Sequence, residues 1–184
     1  MQMADSQRIE APRQKVWEAL NDPDVLKAAI PGCEELIKHS DTELEAKVTL
    51  KVGPVKATFG GKVTLSELDP PKGYRIDGEG SGGVAGFARG GAKVWLEEDG
   101  PDATILHYEV DANVGGKLAQ LGARLIDSTA KRLAGEFFKS FGDIVAPPAP
   151  DAEAAAEPAE GEKKGWFGGL FGKKKDEPAA EADV

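Results

Sequence analysis

Between residues 44 and 112 the apolar side chains recur at every second position. Leu44, Ala46, Val48, Leu50 and Val52 share one parity, and Ala57, Phe59, Gly61, Val63 and Leu65 form a second set. Tyr74 with Ile76, then Ala92, Val94 and Leu96, then Leu106, Tyr108, Val110 and Ala112 continue the alternation. A period of two marks strands with one buried face, and Pro, Gly or Asp bounds each run. The pattern predicts an antiparallel meander packed on one side. Ahead of it lie a short strand over residues 3–9 and a helix opened by Pro12 in its first turn, running through Val16, Trp17 and Leu20. Asn21-Asp22-Pro23 ends that helix and starts a second short one reaching Ala29.

After the strands the spacing changes. Apolar residues at 118, 121, 125, 126, 133, 137, 141 and 144 follow helical periodicity across residues 115–145, a helix of about eight turns. A long amphipathic helix that follows a curved sheet with one apolar face is predicted to pack across the concavity. The predicted class is α+β, a curved antiparallel sheet wrapped around a long C-terminal helix, with two short helices after the first strand.

Composition changes at residue 146. Residues 146–162 are almost wholly Pro, Ala and acids, with no bulky apolar group to bury, which predicts a disordered linker spanning about 20 to 25 Å. Residues 163–184 form a disordered tail whose segment 163–175 reads KKGWFGGLFGKKK. The predicted domain is therefore 1–145. Of the 32 acids and 23 bases in 184 residues, the stretch from Ala146 onward holds 9 acids and 5 lysines. A body with excess acid repels a phosphate backbone, so nucleic acid is not an expected partner.

The tail carries the sharpest chemical signal. Trp166, Phe167, Leu170 and Phe171 line one side of a helix, but four interleaved glycines weaken that helix in water by about 1 kcal/mol each. Lys163, Lys164, Lys173, Lys174 and Lys175 flank the aromatics, and each lysine near an anionic leaflet contributes about 1 kcal/mol. The expected behaviour is reversible adsorption to the cytoplasmic membrane surface through anionic lipids. The alternative is docking of the same aromatics into a protein groove; the lysine flanks favour lipid. The N-terminus has no apolar core of a signal peptide, and no run of 18 apolar residues occurs. We therefore expect a cytoplasmic protein, peripheral on the inner face of the cell membrane.

Catalytic chemistry finds little support. Residues 78–91, GEGSGGVAGFARGG, suggest a phosphate loop, but Lys93 is followed by Val94-Trp95-Leu96 in a strand pattern instead of Ser or Thr opening a helix. Strand glycines mark bends or close backbone approach; a functional version is a flexible hairpin over a cavity mouth with Phe87 as plug. His39 and His107 show no partner in the sequence, and Cys33 lacks a visible base and reads as a buried inert thiol. No acid/base pair stands out among the scattered carboxylates, and two histidines with one cysteine make a zinc site unexpected. Trp95 is predicted outward, as a docking contact. No catalytic residue, metal or covalent cofactor is expected.

Order and spacing of several stretches resemble one family. They are IEAPRQKVWEAL over residues 9–20, the loop Ile30-Pro31-Gly32-Cys33, Val52-Gly53-Pro54-Val55, the glycine-rich stretch after Gly78, and Gly116-Lys117-Leu118-Ala119-Gln120-Leu121-Gly122 with Phe137-Phe138 downstream. Together they resemble the carbon monoxide dehydrogenase CoxG family of the START-like, or SRPBCC, superfamily over residues 3–145. The resemblance implies a helix-grip fold, association with a molybdenum-containing CO dehydrogenase and its attachment to the membrane, and a cavity for an apolar ligand. On that basis Phe59, Tyr74, Ile76, Phe87, Val94, Leu96, Tyr108, Leu118, Leu121 and Leu125 are the candidate ligand-binding residues. An isoprenoid quinone such as menaquinone, or another lipid, is the expected ligand. A recruitment or assembly factor carrying no ligand is the alternative.

Overall fold

The computed structural model describes residues 1–147. The predicted linker beyond residue 147 and the tail segment 163–175 lie outside the described residues.

Seven strands form one antiparallel sheet: β1 (Gln2–Ile9), β2 (Cys33–Lys38), β3 (Glu43–Val52), β4 (Val55–Asp69), β5 (Gly73–Ser81), β6 (Phe87–Glu98) and β7 (Thr104–Gly115). Their order is β1-β7-β6-β5-β4-β3-β2. From β2 to β7 this is a plain meander, and β1 closes the far edge beside β7. The alternation predicted β3 to β7. It did not reveal β2, because Cys33–Lys38 puts Ile37 outward, half-exposed, while Leu36 and Lys38 face in, so no period-two contrast appears.

Two short helices cross one end of the sheet. Pro12 is the N-cap of α1 (Arg13–Leu20), extended at φ −61° and ψ 150°, one position earlier than the predicted first turn. α2 (Pro23–Ala29) starts where Asp22 accepts a hydrogen bond from the Asp24 N–H and Pro23 takes the first position, whose missing N–H costs nothing there. Val16, Trp17 and Leu20 of α1 are buried with Ile9, Leu96, Leu106 and Phe141 in one hydrophobic cluster.

The predicted eight-turn helix is broken. A single turn, α3 (Lys117–Gln120), precedes Gly122, whose φ of +95° ends it, and α4 (Ala123–Val145) follows as a 23-residue helix. α4 starts near the ends of β3 and β7 and runs back toward α1, where Phe141 and Val145 are fully covered. Phe137 stacks on Phe141 and meets Phe138 edge-to-face, and Phe138 stacks on Tyr108 of the sheet at 5.3 Å. That aromatic cluster fastens the helix to the sheet at its C-terminal half.

Phe141 should therefore dominate the helix's contribution to stability. Phe141→Ala is expected to lower the unfolding free energy by about 3–5 kcal/mol, whereas Ile144→Ala, one turn on at a half-exposed position, should change it by under about 0.5 kcal/mol. Chemical denaturation of both variants checks this.

Candidate ligand cavity

Strand register sorts the inward side chains into ranks across the sheet. Leu96 faces Leu106 nearest α1; next come Tyr74, Val94 and Tyr108; then Leu65, Ile76, Ala92, Val110 and Met3. Farther from α1, one rank across five strands reads Ala46, Gly61, Gly80, Ala88 and Val114. Side-chain volume falls along the sheet, so the space between sheet and α4 fills at the α1 end and stays hollow at the other. The hollow is a cavity of about 710 Å³.

Above the small rank, α4 contributes Ile126, Thr129, Ala130, Leu133 and Ala134, while Phe137 and Phe138 bound the cavity on the side of the solid core. β3 and β4 add Val48, Leu50 and Phe59, and Leu118 enters from α3. The Phe59 ring rests on Gly82, where a Cβ would come within 2.6 Å of the ring. At Gly80 the nearest atom to an added Cβ would be 3.7 Å away, so that position opens onto the hollow without strain.

Polar groups in the wall are few. Tyr74 is buried, its ring edge-on to Trp17 at 5.3 Å, and its hydroxyl has no hydrogen-bond partner among the described residues. Burial pushes its phenol pKa far above the usual tyrosine value. Tyr108 is shifted the same way, by burial first and the Asp5 carboxylate second. The Thr129 hydroxyl, also buried, is likewise unpartnered among the described residues. Lys38 Nζ is tied to the main-chain oxygen of Asn21 at 3.0 Å, and the Asn21 amide donates to the Trp17 carbonyl at 2.9 Å. No carboxylate, imidazole or thiol lines this cavity among the described residues, so its walls offer hydroxyl donors and apolar surface rather than an acid/base pair.

The remaining reactive groups sit outside it. His39 and His107 do have partners, contrary to the sequence reading: Glu45 at 2.9 Å and Glu97 at 3.0 Å, each supplied by a neighbouring strand. Cys33 is half-exposed rather than buried, its Sγ donates to the Glu35 carbonyl, and partial burial pushes its thiol pKa up. Trp95 faces outward as predicted, half-covered because His107 stacks on it at 5.2 Å.

A curved sheet gripping a helix is a fold shared by several solved structures. The profile of the CoxG family, described as a carbon monoxide dehydrogenase subunit, matches residues 6–145. The chain belongs to the CoxG family. A conserved protein from Geobacillus kaustophilus is 28% identical with a TM-score of 0.75, over 79% of this chain and 95% of that one. A START superfamily protein from Mycobacterium smegmatis gives a TM-score of 0.60 at 13% identity, over 78% and 96%. The Zhui aromatase/cyclase from Streptomyces gives 0.55 at 15%, over 79% and 93%. No curated protein matches the chain. The fold is thus the START-like helix grip, and the family's name ties this CoxG chain to CO dehydrogenase.

In this CoxG chain Phe59, Tyr74, Ile76, Val94, Tyr108 and Leu118 line the cavity. Phe87, Leu96, Leu121 and Leu125 do not. Phe87 pairs with Ser81 and Gly115, one position out of step with the inward Gly80, Ala88 and Val114, so its ring lies outside on Gly115 and plugs nothing. Leu96 is buried in the solid core beside α1. Leu121 falls in the break between α3 and α4, and Leu125 packs toward the β3–β4 turn, 2.7 Å from where a Cβ on Gly53 would stand. The small rank and the contributions of α2 and β2 went unrecognised. The signal was present: glycine and alanine occupy inward positions at one end of the strands only.

Tyr74 gives a pH test. A phenol whose folded pKa lies above its unfolded one stabilises the protein fully below the unfolded value, about 10, and this stabilisation is lost as pH rises beyond it. We expect stability to fall from about pH 10 upward and Tyr74→Phe to flatten that fall while leaving the neutral-pH value unchanged or higher, since an unpartnered hydroxyl is removed. Denaturant titrations at neutral and alkaline pH check both.

Proposed function

We propose that this protein is a non-enzymatic lipid carrier that holds an isoprenoid quinone in the cavity and links a molybdenum CO dehydrogenase to the cytoplasmic membrane. The observation that carries the reading is the cavity itself: about 710 Å³, within the range of sites that take drug-sized ligands, and walled almost wholly by apolar side chains. Away from Lys38, the wall gives a charged metabolite no partner for the hydration it would lose. The cavity accepts a flat ring with a hydrocarbon chain, and the free Tyr74 and Thr129 hydroxyls are donors of the kind a quinone carbonyl accepts from. A quinone takes up two electrons and two protons to become a quinol, so a carrier that lifts it from the bilayer lets a water-soluble dehydrogenase discharge into the membrane pool. The recruitment alternative needs no hollow, and the hollow favours carriage.

Filling the hollow tests carriage. Wild type mixed with menaquinone should show a bound mass in native mass spectrometry, and the paired substitution Gly80→Leu, Ala92→Phe should abolish it while the protein stays folded. A wild-type chain that takes up neither menaquinone nor ubiquinone defeats the reading.

The tail, outside the described residues, is proposed to bring the carrier to anionic lipid. Replacing Trp166, Phe167, Leu170 and Phe171 by Ser in the full chain should lower partition onto phosphatidylglycerol vesicles by at least about tenfold, since burying each such side chain is worth about 1.5–3 kcal/mol at most. Co-sedimentation measures it, and unchanged binding removes the tail from the membrane assignment.

A further inference from the structure

Charge in the folded body is sorted by end. The β3–β4 and β5–β6 turns and the exit of β7 lie at the hollow end of the sheet. There, residues 46–61 carry Lys47, Lys51 and Lys56, residues 80–92 carry Arg89, and residues 112–126 carry Lys117 and Arg124, with no acid in any of the three segments. All six bases are exposed. The nearest acids are Glu34 and Glu35 at the start of the edge strand, Glu45 and Glu79, which share an outer-face recess with Phe87 and Arg89, Asp111 just before the third segment, and Asp127 in the first turns of α4. At the α1 end the β2–β3, β4–β5 and β6–β7 connections are richer in acid: Asp41, Glu43, Glu67, Asp69, Glu97, Glu98, Asp99 and Asp102 stand there with Lys38, His39, Lys72 and Arg75, and Arg8 and Arg13 reach in to pair with Asp99 and Glu98.

An apolar apex sits in the middle of the basic end. The turn Gly83–Ala85 joins β5 to β6, and Val84 at its tip is 85% exposed, far more than the other large apolar side chains of the described body. Phe87 beside it is 44% exposed. Gly83 at φ +62° and Gly86 at φ +122° hold the turn out from the sheet, and Gly86 lies so close to Gly115 that a Cβ would fall 2.2 Å from the Gly115 oxygen. The tip is thus a firmly seated projection. A protein partner would need a pocket for Val84 and fixed acids for bases spread over three separate connections. A leaflet supplies both without fixed register, through mobile anionic headgroups and an apolar layer beneath them.

We infer that the hollow end of the body docks on an anionic lipid surface, with Val84 entering the headgroup region, the six bases around it, and the wide end of the cavity turned toward the leaflet. The body then has a membrane contact of its own, separate from the tail. The docking rests on the carrier reading only for its purpose, the transfer of a lipid between bilayer and cavity.

The full chain and phosphatidylcholine vesicles with or without phosphatidylglycerol test it. Each lysine near an anionic leaflet is worth about a factor of five in partition, so Lys51→Gln with Lys56→Gln should lower binding to the anionic vesicles about 25-fold. The matched pair at the other end, Lys72→Gln with Arg75→Gln, should change it less than about twofold. In a Cys33→Ser background, an environment-sensitive dye on Val84→Cys should shift to the blue and be quenched by lipid-borne spin labels, and the same dye on Leu68→Cys should not. Equal losses from the two pairs, or a silent dye at position 84, overturn the proposal. So does loss of CO dehydrogenase binding with lipid partition unchanged, which would make the basic end a protein-docking face. If the tail variant alone abolishes binding and the body variants leave it intact, the docking fails while the carrier reading stands; failed quinone uptake with intact body docking separates the two the other way.

Discussion

The whole arrangement depends on one packing mismatch. α4 is long enough to span the concave sheet from end to end; its C-terminal half packs on the sheet's inner face through Phe137, Phe138 and Phe141, while its N-terminal half touches β3 at the edge, through Leu125 on the β3–β4 turn and Arg132 on the Lys51 carbonyl. Over its first turns Thr129, Ala130 and Ala134 look across at Ala46, Gly61, Gly80 and Ala88. Small residues on both walls leave a gap that close packing elsewhere would not tolerate. The α1 plug, with Val16, Trp17 and Leu20, then provides the dense core that lets the rest of the sheet remain open.

That division of labour explains where chemistry is and is not found. The titratable pairs of the body, such as Arg8 with Asp99 and Arg13 with Glu98, lie on the surface near the plug, where they bridge β1 and the start of α1 to the end of β6 and the turn after it. In the cavity wall, by contrast, the polar side chains among the described residues are the Tyr74, Tyr108 and Thr129 hydroxyls, the Asn21 amide and the tethered Lys38 amine.

Much of this was legible in the residues. Period-two alternation placed five of the seven strands because each has one face against a hydrophobic interior, and the 3.6-residue stripe located α4. β2 escaped because an edge strand with Ile37 outside and Lys38 inside has no contrast to read. The helix break escaped because a stripe counts apolar positions and ignores the backbone, which at Gly122 turns to positive φ. For the cavity, parity identified Phe59, Tyr74, Ile76, Val94 and Tyr108 as inward, yet parity is a property of single strands. Whether an inward residue meets packing or space depends on its rank across neighbouring strands. Leu96 and Tyr74 differ by one rank, and one is core while the other is wall. Phe87 was misplaced by a single step of register, enough to carry a ring to the opposite face.

The rank of glycine and alanine has a thermodynamic corollary. Where a typical domain completes its interior with its own side chains, this one leaves about 710 Å³ unfilled, so uptake of any guest there would be linked to folding. A guest present at about a hundred times its dissociation constant adds about 2.7 kcal/mol to the folded state, comparable to a large buried side chain. Release of such a guest would be a loss of internal filling, which whatever received it would have to offset.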